Sequence, residues 1–291
     1  MAEIRLKARA KINLTLDVLQ RLNSGYHQVE MILQQIDLSD EVGIVSDGQK
    51  GCIRVESNCS TLPKDGDNIA YGAAQLIKDM YGIKQQATIT LQKSIPVAAG
   101  LGGGSADAAA VILGLNRIWG LGLDIPAMMK LGTRLGADVP FCILGGTALA
   151  RGIGEVLTPI PSDLSLDILL VKPDLMVSTA SVYKSLDITS ISKRPDNYGM
   201  IEALKAGDNE GIADRMFNVL EGVTVKRHPE IGIIKKDMMV RGALGAIMSG
   251  SGPTVAGLYE NQQGALAAAE FFKTKYKEVI VTKTVTLEEG E

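Results

Sequence analysis

The chain is poor in the residues that metals and disulfides use. Its 291 residues include three cysteines and two histidines. Cys52, Cys59 and Cys142 are odd in number and none has C-x-x-C spacing, which argues against a disulfide framework and a zinc site. With only His27 and His228, a histidine metal cluster is excluded as well. A basic excess is also lacking: 30 Lys and Arg stand against 33 Asp and Glu, a net charge of −3. Nucleic-acid binders usually carry a strong positive balance, so no nucleic-acid partner is expected. No long apolar run is present either. The longest uncharged stretch, Gly242 to Tyr259, holds five glycines and Pro253 and reads as a turn between strands. Charges from Glu3 to Lys11 break up the N-terminus, so no signal peptide is read there. The expectation is a cytoplasmic protein with no membrane partner.

What is present is ample core material, 46% hydrophobic residues, in a chain long enough for two domains. The first segment alternates: Ile4, Leu6, Ala8, Ala10, Ile12, Leu14 and Leu16 share one face, and Arg5, Lys7, Arg9, Lys11, Asn13 and Thr15 the other. This period of two predicts a strand with one wet face. Strands are also predicted at 29–36, 42–45, 52–56 and 87–92. Helices are predicted at 67–81, at 105–119, and from an Asp124 cap to about Gly136. An apolar strand is expected after Asp138, in the charge-poor region 139–150. The remainder alternates strands (166–171, 243–248, 254–259, 279–285) with helices (near Ile201, Ile212 and Ile231, and over 265–276). The mixture is α+β, with a domain boundary placed near Pro159: residues 1–158 and 159–291.

The strongest chemical signal runs Pro96-Val97-Ala98-Ala99-Gly100-Leu101-Gly102-Gly103-Gly104-Ser105-Ala106. A strand precedes it and an Ala-rich helix follows. Four glycines in five residues let the backbone approach a ligand, and the N–H groups opening the helix point at anionic oxygens. No Gly-Lys-Ser/Thr ends it, and Ser105 stands where a dinucleotide fingerprint needs its third glycine, so neither common phosphate motif applies. Lys11 offers the cation that phosphoryl transfer requires, although a lysine on a polar strand face is ordinarily just solvated. Asp138, in Gly-Ala-Asp-Val-Pro, sits among apolar neighbours and suits a proton acceptor for an attacking hydroxyl. Taken alone it reads equally well as a turn aspartate. Gly245 to Val255 is a second glycine-rich segment, by itself an ordinary tight turn. Tyr26 and His27 would stack on and hydrogen-bond a planar ring, or form an exposed turn.

These five elements, in this order, resemble the GHMP kinases over essentially the whole chain. The resemblance implies a two-domain α+β fold. Its N-terminal domain would be like ribosomal protein S5 domain 2, and its C-terminal domain ferredoxin-like. It implies a small-molecule kinase using ATP and Mg²⁺, with Pro96 to Ala106 on the nucleotide phosphates, Asn68 near the adenine, and Ser105 as the candidate metal ligand. Lys11 and Asp138 align with the family's catalytic pair. The opening Ala10-Lys11-Ile12-Asn13-Leu14, Arg21, Gly25-Tyr26-His27 and Met31 is similar to the branch acting on a cytidyl diphosphate in non-mevalonate isoprenoid synthesis. In that branch Tyr26, His27, Thr179 and Tyr183 would hold the cytosine, with Asn13 beside the substrate. Asn23-Ser24 replaces the Pro-Asp common there, a departure confined to a turn. A homoserine or mevalonate type of kinase has no use for a Tyr-His pair that reads a base. A ligand-sensing relative without catalysis would not need Lys11, Asp138 and the loop all intact. A monomer or homodimer is expected.

Overall fold

The computed structural model describes residues 2–286, which divide into two compact units interleaved along the chain. The first comprises the described residues up to Ala10, with Leu38–Pro96 and Gly102–Leu144. The second comprises Lys11–Asp37, Val97–Leu101 and the described residues from Gly145 onward. Two long strands, β1 (Ala2–Arg21) and β2 (His27–Ser46), pass from one unit to the other along their length.

In the first unit, Glu41–Val45 of β2 pairs antiparallel with β4 (Ala87–Gln92), which pairs parallel with β3 (Ile53–Ser57). The parallel pair demands a crossover, and α1 (Ile69–Tyr81) supplies it. Asn68 caps α1 by accepting from Ala70 N–H at 2.9 Å, and Gly82 ends it in the left-handed conformation, φ 66°. Helix α1 buries Ala70, Ala73, Ala74 and Ile77, one stripe at helical spacing. It packs on α2 (Gly103–Ile118), which buries Ala106, Ala108, Ala109 and Ala110. Small side chains on both helices allow close approach. Helices α3 (Ile125–Thr133) and α4 (Val139–Leu144) complete the layer.

In the second unit, Thr15 and Leu16 of β1 pair parallel with β8 (Phe217–Asn218). Met31–Gln34 of β2 pairs antiparallel with β5 (Thr147–Arg151), and β5 with β6 (Val156–Pro159). A separate antiparallel sheet has the order β11-β7-β10-β9, formed by β7 (Asp167–Lys172), β9 (Gly245–Met248), β10 (Val255–Tyr259) and β11 (Glu278–Lys283). Helix α9 (Pro229–Val240) packs on β9 and β10, and α10 (Gln262–Lys273) on β7, β10 and β11. Four short helices, α5 (Thr179–Ser185), α6 (Asn197–Ala206), α7 (Asn209–Arg215) and α8 (Glu221–Arg227), fill the connections. The expected α+β class is borne out.

Two local expectations are corrected. The strand expected after Asp138 does not follow it directly: Val139–Leu144 is a helical turn, and the strand comes at Thr147–Arg151. Pro140 falls in the first turn, where proline suits a helix, and Cys142 N–H reaches Asp138 O at 3.1 Å. The polar face of β1 is wet only toward its two ends, Arg21 being exposed at the far one. Glu3, Arg5 and Lys7 are exposed, whereas Lys11, Asn13, Thr15 and Asp17 are buried.

Candidate active site

The glycine-rich segment leaves β4 and enters α2 through three left-handed residues at alternate positions: Ala98 (φ 53°), Gly100 (φ 76°) and Gly102 (φ 71°). Alternation of this kind turns successive N–H groups into one concavity that accepts an anion. Gly102 is the residue before α2 and makes no side-chain cap bond, so the helix opens without a competing internal acceptor from its cap. At Gly100 a side chain is impossible for a second reason. A Cβ there would collide with the Ser249 carbonyl oxygen.

That collision reflects the role of the second glycine segment, which is more than a tight turn. Ser249 Oγ donates to Gly100 O at 3.0 Å, and Lys11 N–H donates to Leu101 O at 2.9 Å. Gly250 N–H donates to Asn13 Oδ1 at 2.9 Å, and the same oxygen accepts from Lys11 Nζ at 3.1 Å. Lys11 is 5% and Asn13 0% exposed, so their positions are set by these partners and not by solvent. The turn therefore joins the strand carrying the expected catalytic lysine to residues 99–101 of the glycine-rich loop.

Asn218 supports that turn, a role that no motif in the sequence announces. Its Nδ2 donates to Met248 O at 2.7 Å and to Gly250 O at 2.8 Å, while its Oδ1 accepts from Leu220 N–H at 2.9 Å. Thr224, also buried, donates to Ser251 O at 3.3 Å. An isolated asparagine between Phe217 and Val219 carries no motif, and its partners lie some thirty residues away.

Among the residues expected to hold a planar ring, the structure brings His27 and Tyr183 together, with ring centroids 5.1 Å apart and planes inclined by 37°. Burial first, then the nearby Arg21 charge, lowers the His27 pKa below 6.5. Tyr26, at the tip of the preceding turn, is 62% exposed, its ring open to a stacking partner. Thr179 opens α5 behind its Ser178 cap, and its Oγ1 lies 2.8 Å from Ser251 Oγ. It thus reaches the same glycine turn as Asn13. Behind these strands, Glu30 accepts from Arg151 (2.8 Å) and Asn197 (2.9 Å), and the Arg151 bond chiefly holds its pKa low.

In the first unit, Asp138 precedes α4 and is half-buried. Ser105, in the first turn of α2, lies near Gly136, two residues before Asp138 in the chain: a Cβ on Gly136 would lie 3.9 Å from Ser105 Oγ. The hydroxyl and the carboxylate are both hard oxygen donors, the kind Mg²⁺ takes while keeping water and phosphate in its shell. Among the described residues no group of three or more His, Cys, Asp or Glu is placed to hold a metal. Asn68 uses both ends of its amide locally, capping α1 and donating to Pro63 O at 2.8 Å. Among the described residues no helix is long and apolar enough to cross a membrane.

Comparison with known proteins gives the same pattern at every level. Residues 68–146 match the GHMP kinases N terminal domain, and residues 200–278 match the GHMP kinases C terminal domain. The chain is 50% identical to the 4-diphosphocytidyl-2-C-methyl-D-erythritol kinase of Alkaliphilus metalliredigens, over 96% of this chain and 95% of that one. It is 50% identical to the enzyme of the same name from Clostridioides difficile, over 97% and 95%. A crystal structure of 4-(cytidine 5'-diphospho)-2C-methyl-D-erythritol kinase superposes with a TM-score of 0.82 at 31% identity, covering 97% of this chain and 99% of the other. Homoserine kinase from Cytophaga hutchinsonii superposes at 0.77 with 22% identity, over 98% and 95%, a likeness of fold.

Proposed function

The chain belongs to the GHMP kinase family, and on that premise we propose that it transfers the terminal phosphoryl group of ATP to the 2-hydroxyl of 4-diphosphocytidyl-2-C-methyl-D-erythritol. This is a step of the non-mevalonate route to isoprenoid precursors. The observation that carries the reading is identity of one half over nearly the full chain to kinases of that name. The homoserine and mevalonate alternatives are not favoured, since the likeness to such kinases is one of fold at 22% and 18% identity.

On this reading the residues divide the work. The concave backbone over Pro96 to Ala106 takes the nucleotide phosphates, and the adenine lies toward Asn68. Asp138 accepts the proton of the acceptor hydroxyl as the oxygen attacks. Lys11 offsets negative charge that shifts during transfer, and Asn13 fixes its ammonium. Ser105 is the side chain we assign to Mg²⁺, which would supply charge neutralisation on the phosphates when bound. The cytosine enters against Tyr26, His27, Thr179 and Tyr183, with Asn13 beside the substrate. Residues 1–158 then form the ATP-binding domain and 159–291 the C-terminal domain, a boundary between the two family matches. The enzyme would work in the cytoplasm as a monomer or homodimer.

The deciding experiment measures ADP release by the purified protein with the cytidyl substrate, mevalonate and homoserine in parallel. Turnover confined to the cytidyl substrate is expected. Turnover with either other alcohol, and none with the cytidyl substrate, overturns the assignment.

A further inference from the structure

One ammonium beside the first turn of α2 is shared by two carboxylates. Lys93, just past β4, pairs through Nζ with Asp40 Oδ2 and with Asp107 Oδ2, the latter at 2.5 Å. The three side chains are 8%, 0% and 4% exposed. Asp40 spends its second oxygen on the backbone, accepting Ser94 N–H at 2.6 Å and Ile95 N–H at 2.8 Å. Asp107 Oδ1 is buried with no hydrogen-bond partner. The cluster lies directly against the helix start: a Cβ on Gly103 would sit 3.1 Å from Ile95 Cγ2 and 3.6 Å from Lys93 Nζ.

Three buried charges are a poor way to stabilise a core. Their desolvation cancels much of their attraction, and apolar side chains of similar volume often serve as well or better. Burial first, and then the neighbouring Asp40 charge, push the Asp107 carboxyl up to about 7, against the lowering by Lys93. The cluster does achieve something an apolar patch cannot. Asp40 fixes the two peptide groups that enter the glycine-rich loop, Lys93 is the residue before them, and Asp107 is on the helix that leaves it. Both ends of the loop are tied to one charged knot.

We propose that Asp40, Lys93 and Asp107 are positioning residues that hold the two ends of the phosphate-binding loop in its nucleotide-ready shape before ATP arrives. The proposal rests on the assignment of that loop to the ATP phosphates. Its physical content is preorganisation: a loop already ordered does not spend binding energy on ordering itself.

The test uses the full chain, and its first readout, ATP binding, is independent of the acceptor. The double variant Lys93→Met/Asp107→Asn removes one positive and one negative charge, leaving the formal charge of the cluster unchanged. ATP affinity by calorimetry should fall by roughly tenfold or more, while the KM for the cytidyl substrate stays within about twofold and the protein remains folded. Wild-type ATP affinity in the folded double variant, or equal losses for both substrates, overturns the proposal. A second measurement needs no variant. Hydrogen exchange on the wild type should find the Ser94 and Ile95 amides protected without nucleotide. Free exchange there until ATP is added would equally overturn it. If the wild type binds ATP but turns over no cytidyl substrate, the substrate assignment fails, and the positioning role is still read by ATP calorimetry on the variant and by hydrogen exchange.

Discussion

The Lys11 ammonium donates to Asn13 Oδ1 across 3.1 Å, and that oxygen is held from its other side by the Gly250 N–H at 2.9 Å. A lysine on a four-carbon stem is ordinarily mobile, and fixing it costs rotamer entropy. Here the cost is met by burial and by an acceptor that is itself anchored, so the charge has a defined position. Electrostatic catalysis depends on such fixed charges, because they do not reorganise at the moment of reaction.

Lys11→Ala and Asp138→Asn should each nearly abolish turnover while ATP still binds. General-base and charge-stabilising roles are together worth roughly 3–6 kcal/mol. Lys11→Arg should not fully rescue, since a planar guanidinium cannot occupy the ammonium's place beside Asn13. Steady-state kcat with parallel ATP titration checks this. An Asp138→Asn enzyme that keeps more than about a tenth of kcat would remove Asp138 from the base role.

Asn218→Ala should lower both stability and kcat. The change strands the Met248 and Gly250 carbonyls, at a cost on the order of 1–3 kcal/mol for each buried group left unpaired. It also loosens the peptide that holds Asn13. Thermal unfolding and kcat on the same preparation test the two halves. Loss of stability with unchanged kcat would mean that the Gly250 contact to Asn13 does not matter for transfer.

Gly100→Ala should raise the KM for ATP by roughly tenfold or more with little change in the acceptor KM. The substitution meets positive φ, worth about 1–2 kcal/mol against any L side chain, and a collision with Ser249 O. Gly66→Ala is the control, since a Cβ there meets nothing within 4 Å. Equal effects of the two alanines would contradict the special geometry of Gly100.

How far the sequence could be read follows from how local each signal is. The glycine loop was legible because strand, loop and helix cap are contiguous in the chain. The alternation of β1 was equally plain, but alternation says which residues share a face and not what covers that face. Lys11 and Asn13 are dry because the turn at Gly250 lies against them, a relation between positions over two hundred residues apart. The run Val139–Leu144 is apolar on every side, so no periodicity distinguishes strand from helix, and Pro140 was the only pointer. Helix α8 follows Leu220 with no side-chain cap, and α5 spans only seven residues, so neither left a readable start and stripe.

The lowered His27 pKa predicts a pH profile. Burial and then Arg21 disfavour the imidazolium, so the ring stays neutral to below its ordinary 6.5. A folded-state pKa depressed in this way places the loss at low pH. The KM for the cytidyl substrate should be flat from about pH 8 down to about 6.5 and rise below that. Arg21→Gln should move the inflection upward by removing the second cause. An inflection above 6.5 in the wild type would show that the His27 pKa is not depressed or that another group controls the profile.

Tyr26 and His27 are not needed to move a phosphate, so they test substrate identity apart from chemistry. Tyr26→Ala removes a stacking surface worth about 1–3 kcal/mol per base. His27→Ala leaves the polar edge of the base unpaired and separates the ring from Tyr183, 5.1 Å away, at a cost on the order of 1–3 kcal/mol. Each should raise the KM for the cytidyl substrate by roughly tenfold and leave ATP binding almost untouched. Tyr26→Phe should be nearly silent, because the exposed ring stacks without its hydroxyl. A uridyl analogue should be rejected, since its N3 and exocyclic group present donor and acceptor in the opposite order, and a site built for one pattern is left unpaired by the other. Steady-state comparison of cytidyl and uridyl substrates on the wild type and both alanine variants decides the matter. If the wild type accepts both analogues equally, or neither alanine moves the KM, these residues do not read cytosine, and Lys11, Asp138 and the loop remain a kinase site whose acceptor is selected elsewhere.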